Sequence, residues 1–437
     1  MATLLLGIFY NLVLFPIIFI TAHLMALVHP KIRKGIVARY GVKRDVQHFL
    51  ESLPTERPNI YLFHCASLGE FEHIKPFLRR LKEKHPNSKT VVMFFSPSGY
   101  EHTRDFPLVD LTIYSPFDWW LPTIKLFRAL NPRALLIAKY DVWPNQMWAA
   151  CRLGIPRILI NATLHPQSRR LHFPAKWFLR PIYKHLDRVL AISELDSFLY
   201  QQLVDKDKIT TVGDSKFDQV YTRYQESQQK RVLPQRMLEQ KFVFVAGSTW
   251  EEDEEHLIPA IKNIIQINQD FLAIICPHEP TPEHLKELRN QLAPLPVCAY
   301  SRLNQYQGES IILIDGVGLL ANLYAEAHVA YVGGSFKQNI HNVLEPAVYG
   351  IPVLMGPVNR NSIEAQMLKE ARGAIEVGSS GDIVKMLERF LVDEEHRLKI
   401  GENARRVVLE HRGATERIYK IIFSEILKEV EKITTPL

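Results

Sequence analysis

Three short stretches of this chain combine the residue types that acid–base and phosphate chemistry need. The first runs from His64 to Glu70 (HCASLGE), where an apolar run ends and a helical pattern begins. Ala66, Ser67 and Gly69 are small enough for a ligand to approach the backbone, and a helix start favours anions. Glu70 falls in the first helical turn. Desolvated at a cleft edge, its carboxyl would titrate high and could act as a general base. The same spacing fits an ordinary first-turn acid with Ser67 as the helix cap. Both readings stay open.

The second stretch is GSTWEEDEE, Gly247 to Glu255. Gly247, Ser248 and Thr249 before a helix offer backbone N–H groups and two hydroxyls to a phosphate. Glu251, Glu252, Asp253 and Glu254 are expected to be solvated first-turn acids. The third stretch, Gly333 to Pro357, is strongly polar within an apolar fold, as ligand loops are. There, Asn342 and Glu345 have the spacing of a helix cap and its third-position partner. Alternatively, Glu345 accepts hydrogen bonds from ribose hydroxyls while His341 and Asn342 approach a base or phosphate. Two further groups are weaker. Lys216, in VGDSKFD (212–218), could offset charge on a leaving phosphate or be a solvated lysine. Lys139 and Asp141, in AKYDVWPN (138–145), have the bland reading of an internal salt bridge. Asp205-Lys206-Asp207 mimics an Asp-x-Asp metal motif but has no glycine-rich neighbour, so it reads as a solvent-exposed loop.

These groups need elements to hold them. Short apolar runs at 59–67, 89–96, 111–117, 134–140, 157–164, 188–193 and 209–213 form one series. Runs at 241–248, 271–277, 297–301, 311–315, 329–334, 352–356 and 374–378 form another. Continuous apolar strands separated by amphipathic helices imply parallel sheets covered on both faces. The expectation is an α/β protein of two Rossmann-like domains facing a cleft. They span 31–220 and 237–410, joined by a polar linker at 221–236 and followed by a C-terminal helix over 411–437.

Ahead of them, Thr3 to Val28 carries no Asp, Glu, Lys or Arg. That is long enough for a bilayer core of about 20 apolar residues, so 1–30 reads as a membrane anchor helix. Asn11 and Pro16 weaken a clean span, and a helix lying in or docked against the membrane is the alternative. The basic residues Lys31, Arg33, Lys34, Arg39, Lys43 and Arg44 follow it, which would keep the rest of the chain cytoplasmic. These six account for the net charge of +6, because the remaining 47 Lys and Arg balance 47 Asp and Glu. A nucleic-acid binder would spread its positive charge over the folded surface. Residues 165–188 interleave Arg169, Arg170, Lys176 and Arg180 with Phe173, Trp177 and Phe178, which suits anionic lipid or a merely solvated basic face. Four scattered cysteines with no CxxC pair argue against a disulfide framework.

In their order, the anchor, RYG (39–41), HCASLGE, the WPN of AKYDVWPN, VGDSKFD, GSTWEEDEE and GGSF…HNVLEPA…GIPVLMGP resemble the 3-deoxy-D-manno-octulosonic acid (Kdo) transferases of lipopolysaccharide synthesis. The resemblance runs from the anchor to about residue 410. It implies an inverting glycosyltransferase of the GT-B type, moving Kdo from CMP-Kdo to the lipid A precursor at the cytoplasmic face of the inner membrane. The family's base matches Glu70 and its charge-stabilising lysine matches Lys216. Its nucleotide contacts match Pro277 and His278, the Gly316–Val317–Gly318 loop, and Asn342, Val343, Leu344 and Glu345. No metal or other cofactor is implied. Three departures mark a divergent branch. Lys139-Tyr140-Asp141 replaces the usual Glu-Thr-Glu, leaving Asp141 alone to compensate. Pro277-His278-Glu279-Pro280 replaces Pro-Arg-His-Pro, and Trp250 stands where a histidine is common. The alternatives are a GT-B transferase using a UDP-sugar on a lipid-linked acceptor and a non-catalytic, membrane-tethered nucleotide-sugar-binding protein.

Overall fold

A computed structural model describes residues 2–228, 231–337 and 339–428. The chain divides into two compact units, Met1–Gln219 with Arg412–Leu437, and Val220–His411. In the first unit the strands are β1 (Ile60–Cys65), β2 (Lys89–Phe94), β3 (Leu111–Tyr114), β4 (Ala134–Ala138), β5 (Arg157–Ala162), β6 (Arg188–Ala191) and β7 (Ile209–Thr211). They form one parallel sheet in the order β3-β2-β1-β4-β5-β6-β7. The strands are nearly continuous runs of buried apolar residues because both faces are covered. Leu62, Met93, Ile137 and Phe127 pack on one side, and Phe63, Phe71, Phe77 and Leu136 on the other.

The second unit repeats the plan with β8 (Phe242–Thr249), β9 (Phe271–Pro277), β10 (Val297–Ala299), β11 (Ile311–Leu313), β12 (Val329–Val332), β13 (Val353–Met355) and β14 (Ala374–Glu376). Its order is β10-β11-β9-β8-β12-β13-β14, again parallel. In each sheet the chain winds outward from its first strand and then returns to that strand's other side. The reversal falls between β1 and β4 in one unit and between β8 and β12 in the other. Loops at the carboxyl ends of such strand pairs are where doubly wound sheets bind ligands. HCASLGE follows β1 and AKYDVWPN closes β4; GSTWEEDEE closes β8 and the Gly333 loop follows β12.

Two expectations about segment boundaries meet a different structure. A helix spans Ser215–Ser227, covering the first seven residues of the expected linker. Polar composition hides its apolar face: Phe217 and Val220 are buried, and Tyr224 packs against Tyr349 with ring centroids 5.1 Å apart. The C-terminal segment is not a separate appendage either. A helix from Ala414 to Lys420 continues through a π-helical turn, Ile421–Ile426, and puts Ile418, Ile422 and Ile426 into the first unit's core. Asp218 ties down its start by accepting from the Gly413 and Thr415 N–H groups at 2.6 and 2.7 Å. Positions 429–437 of the expected helix lie outside the described residues.

Among the described residues, one helix, Leu5–Val28, is long and apolar enough to cross a membrane. It contains a wide π turn at Tyr10–Leu14 just before Pro16. Proline has no N–H for the carbonyl four residues back, and its ring crowds that carbonyl, so the turn opens there. One flank of this helix is docked on the first unit. Tyr10 donates to Asp118 at 2.8 Å, and Asn11 exchanges amide hydrogen bonds with Asn145 at 3.1 and 3.0 Å. Phe15 and Phe19 pack edge-on to Trp119 and Phe117.

Candidate active site

In the first unit the chemistry gathers where β1 and β4 end. Ser67 caps the helix Leu68–Lys84 by accepting from the Glu70 N–H at 3.4 Å. The Glu70 carboxylate turns back and accepts from the Ala66 N–H at 2.5 Å. The capping reading of Glu70 thus describes the observed geometry, with Ser67 as the helix cap. The side chain is 4 % exposed. Burial raises its pKa, more than the Ala66 N–H lowers it; nearby Asp141 raises it further, while His64 and Lys139 oppose.

Asp141 has the opposite fate. Burial alone would raise it, but the hydrogen bond from His64 Nε2 at 3.0 Å, with Trp143 Nε1 also at 3.0 Å, holds it below the usual aspartate range. The partner of Asp141 is therefore His64 rather than the Lys139 of the bland salt-bridge reading. Lys139 sits at the strand end in a left-handed conformation, with φ of 59°. Behind His64, the Gln146 amide nitrogen lies 3.4 Å from its other ring nitrogen and 2.9 Å from Ser115 Oγ. Two carboxyls with pKa values pushed apart are what acid–base division of labour requires.

Lys216 stands in the first turn of the helix Ser215–Ser227, and its backbone N–H donates to Asp214 at 2.8 Å. Asp214 in turn faces His73 Nδ1 at 3.3 Å. His73 lies one turn beyond Glu70, so Lys216 and Glu70 are both tied to one helix, Leu68–Lys84. Asn161 and Ser215 complete that tie through the His73 carbonyl, at 3.1 and 2.5 Å. Sequence reasoning missed His64, His73, Gln146 and Asn161. Of these only His64, inside the HCASLGE motif, carried a local signal.

A cavity of about 270 Å³ lies beside the Glu70 loop, walled by Phe15, Ile18, Phe19, Phe95, Phe117 and Trp143 with Arg39 among its lining. Phe95 and Ser96 continue from β2 and hydrogen-bond to the carbonyls of Cys65 and Ala66, at 3.2 and 3.0 Å. Phe95 also stacks on Trp143 at 5.4 Å. Apolar cavity and carboxyl loop are built from the same strand ends.

In the second unit the residues expected to bind a donor separate into two groups. Several are structural. Gly247 has no room for a Cβ, which would lie 2.1 Å from the Tyr324 hydroxyl. Thr249 is fully buried and donates to Glu254 at 2.7 Å. Val343 and Leu344 are core residues. Nor are the acids of this turn uniformly solvated: Asp253 and Glu254 are buried. Asp253 accepts from the Trp250 and Gly334 N–H groups and from the Tyr331 hydroxyl, at 3.0, 2.7 and 2.7 Å. It locks the β8 turn to the β12 turn, and it occupies the helix-start position that an anion would use.

The remaining candidates keep polar atoms near the surface. The helix after the β12 loop starts at Leu344, later than the spacing of Asn342 and Glu345 suggests. Glu345 receives hydrogen bonds from Arg223 at 2.9 Å and from Asn342 at 3.3 Å. His278, after Pro277, is exposed and its ring packs beside both Trp250 and His341, at 4.7 and 4.3 Å. Trp250 Nε1 donates to His341 Nε2 at 2.9 Å. An indole N–H can only donate, so the neutral His341 carries its own proton on Nδ1. Burial first, then His278, lowers the His341 pKa to about 4. The Gly316–Val317–Gly318 loop is open to solvent at Val317, and Ser248 has a left-handed φ of 53°. No group of three or more His, Cys, Asp or Glu side chains among the described residues is arranged to hold a metal ion.

Comparison with known proteins bears on this geometry. Residues 36–219 match the family model of 3-deoxy-D-manno-octulosonic-acid transferase. A 3-deoxy-D-manno-octulosonic acid transferase of Haemophilus influenzae is 24% identical over 422 residues, 93% of this chain and 95% of that protein. One of Chlamydophila psittaci is 27% identical over 403 residues, 90% of each. Among solved structures, a UDP-GlcNAc 2-epimerase of Neisseria meningitidis bound to UDP-GlcNAc superposes with a TM-score of 0.55 at 16% identity, covering 80% of this chain and 99% of that one. That likeness is of fold, and it fits the GT-B class of two parallel α/β units.

Proposed function

We propose, from the premise that this chain is a glycosyltransferase of the Kdo transferase family, that it moves Kdo from CMP-Kdo to an acylated sugar, the lipid A precursor. The observation that carries the acceptor half is the desolvated Glu70 at a strand end shared with an apolar cavity. A sugar hydroxyl at Glu70 and an acyl chain in that cavity are one amphipathic molecule. Glu70 takes the proton of the acceptor hydroxyl as its oxygen bonds to the anomeric carbon of Kdo. The bond from that carbon to the CMP phosphate oxygen breaks, and the configuration inverts. Asp141, kept ionised by His64, holds the loop electrostatics that keep Glu70 basic. Lys216 offsets the negative charge gathering on the departing phosphate. Asn342 and Glu345 take the nucleotide in the second unit, with Pro277, His278 and the Gly316–Gly318 loop.

Incubating the full chain with CMP-Kdo and a tetra-acylated lipid A precursor, then weighing the lipid, tests the reaction. A gain of one or more Kdo masses is expected, and it counts the additions. No gain, beside a control transferase active on the same donor, would discard the assignment. Glu70→Gln is expected to slow transfer about 10²–10⁴-fold with CMP affinity unchanged, as loss of a general base does. Near-normal transfer by that variant would remove Glu70 from the chemistry. Because its pKa is raised, the acidic limb of the rate profile should lie above the usual glutamate value of about 4.3.

A further inference from the structure

We infer that the apolar helix Ala2–Val28 lies in the plane of one leaflet as a docked part of the first unit, and does not cross the bilayer. Its attachment is continuous along its length. A Cβ on Gly7 would touch the Trp148 ring, Tyr10 reaches Asp118, and Asn11 is engaged with Asn145 and the Trp120 N–H. Further along, Phe15 and Phe19 pack on Trp119 and Phe117, and His23 Nε2 meets the Tyr40 hydroxyl at 2.9 Å. From Gly7 to His23 is about 24 Å of helix at 1.5 Å per residue. That is most of a hydrocarbon core about 30 Å thick. A helix crossing the bilayer in this docked state would carry the irregular backbone at 115–119 of the first unit into hydrocarbon, where lipid-exposed irregular backbone does not occur.

The opposite flank is a stripe of exposed apolar side chains, Leu5, Phe9, Val13, Ile17, Leu24 and Leu27, with Leu27 78 % exposed. The spacing of three and four residues places them on one side of the helix. What covers this stripe is identified by its surroundings. The helix Ala175–Tyr183 packs on the anchor's first half through Phe178, 5.9 Å from Tyr10. That helix and the residues just before it expose Phe173 and Trp177, at 84 % and 67 %, together with Arg169 and Arg180. Beyond the anchor's far end, Lys31, Arg33 and Lys34 are exposed. Cations therefore lie beside the anchor's first half and beyond its far end, on one structural unit. A spanning helix would put these two basic groups on opposite sides of the membrane. An in-plane helix puts both at the headgroups of a single anionic leaflet, with the aromatic and aliphatic side chains below them.

The test uses the full chain carrying an N-terminal epitope tag behind a site-specific protease site, in inverted inner-membrane vesicles. Added protease is expected to remove the tag as completely as it does in detergent. Protection of the tag until detergent is added would establish a crossing and overturn the inference. In a second measurement, the full chain is bound to vesicles containing about one-third anionic lipid. The double variant Phe173→Ser with Trp177→Ser is expected to bind at least 10-fold more weakly, at unchanged melting temperature. Unchanged binding would take that surface out of the membrane footprint.

Discussion

At the residue scale, the two carboxyls beside β1 make opposite predictions. Glu70 has a raised pKa, so its contribution to stability is present below its unfolded value and lost as pH rises through the folded one. At neutral pH Glu70→Gln should therefore leave the melting temperature no lower than wild type while transfer fails; a marked drop would make the residue chiefly a structural cap. Asp141 is depressed, so it stabilises above its unfolded pKa and ceases to as pH falls through the folded one. Asp141→Asn should cost about 1–3 kcal/mol at neutral pH and little in strong acid, read by urea titration at the two pH values. Position 70 was visible in the sequence because capping residues have fixed spacing. The partner of Asp141 was not, since His64 comes from a strand 77 residues away. Trp250 offers a sharper probe. Trp250→Phe keeps the ring beside His278 but removes the indole donor, so His341 should lose its fixed tautomer, visible in its nitrogen chemical shifts.

At the scale of elements, all fourteen apolar runs became strands; in the inner ones burial on both faces requires apolar residues throughout, while β7, at a sheet edge, is only partly buried. Segments whose burial depends on a remote partner were harder to read. The acids at 251–254 look solvated in isolation, yet Asp253 is covered by the β12 turn some eighty residues on. Likewise the polar stretch after Gln219 hides a helix face that only Tyr349 reveals. Close packing of backbones leaves other silent positions. In the helix Glu394–Glu410, a Cβ on Gly401 would lie 2.0 Å from the Gly350 carbonyl oxygen. Gly401→Ala should destabilise by about 1–3 kcal/mol, as overpacking does. A lowered urea midpoint at constant slope would show it.

At the scale of the whole molecule, residues 412–428 complete the first unit rather than trail behind the second. His85 meets the Tyr419 hydroxyl at 2.9 Å and stacks on Phe423, while Arg417 Nε donates to the Val212 carbonyl at 2.6 Å. Truncation after His411 should expose the face of β1 and β4 that Ile418, Ile422 and Ile426 cover. Rapid proteolysis confined to the first unit is the expected outcome, with the second still resistant. The sequence could not announce this return, because an amphipathic terminal helix carries no label for the sheet it covers. It does have a consequence in time. A ribosome delivers the second unit whole at His411, but the first waits, with the face that the helix Leu68–Lys84 shares with Ile418, Ile422 and Ile426 only partly covered, until residues 412–428 are made. At about 5–20 residues per second the Val220–His411 stretch alone takes roughly 10–40 s. Through that interval the nascent chain holds an apolar helix and an unfinished sheet at once, and an early-arriving lipid surface or a chaperone is the natural shelter for both.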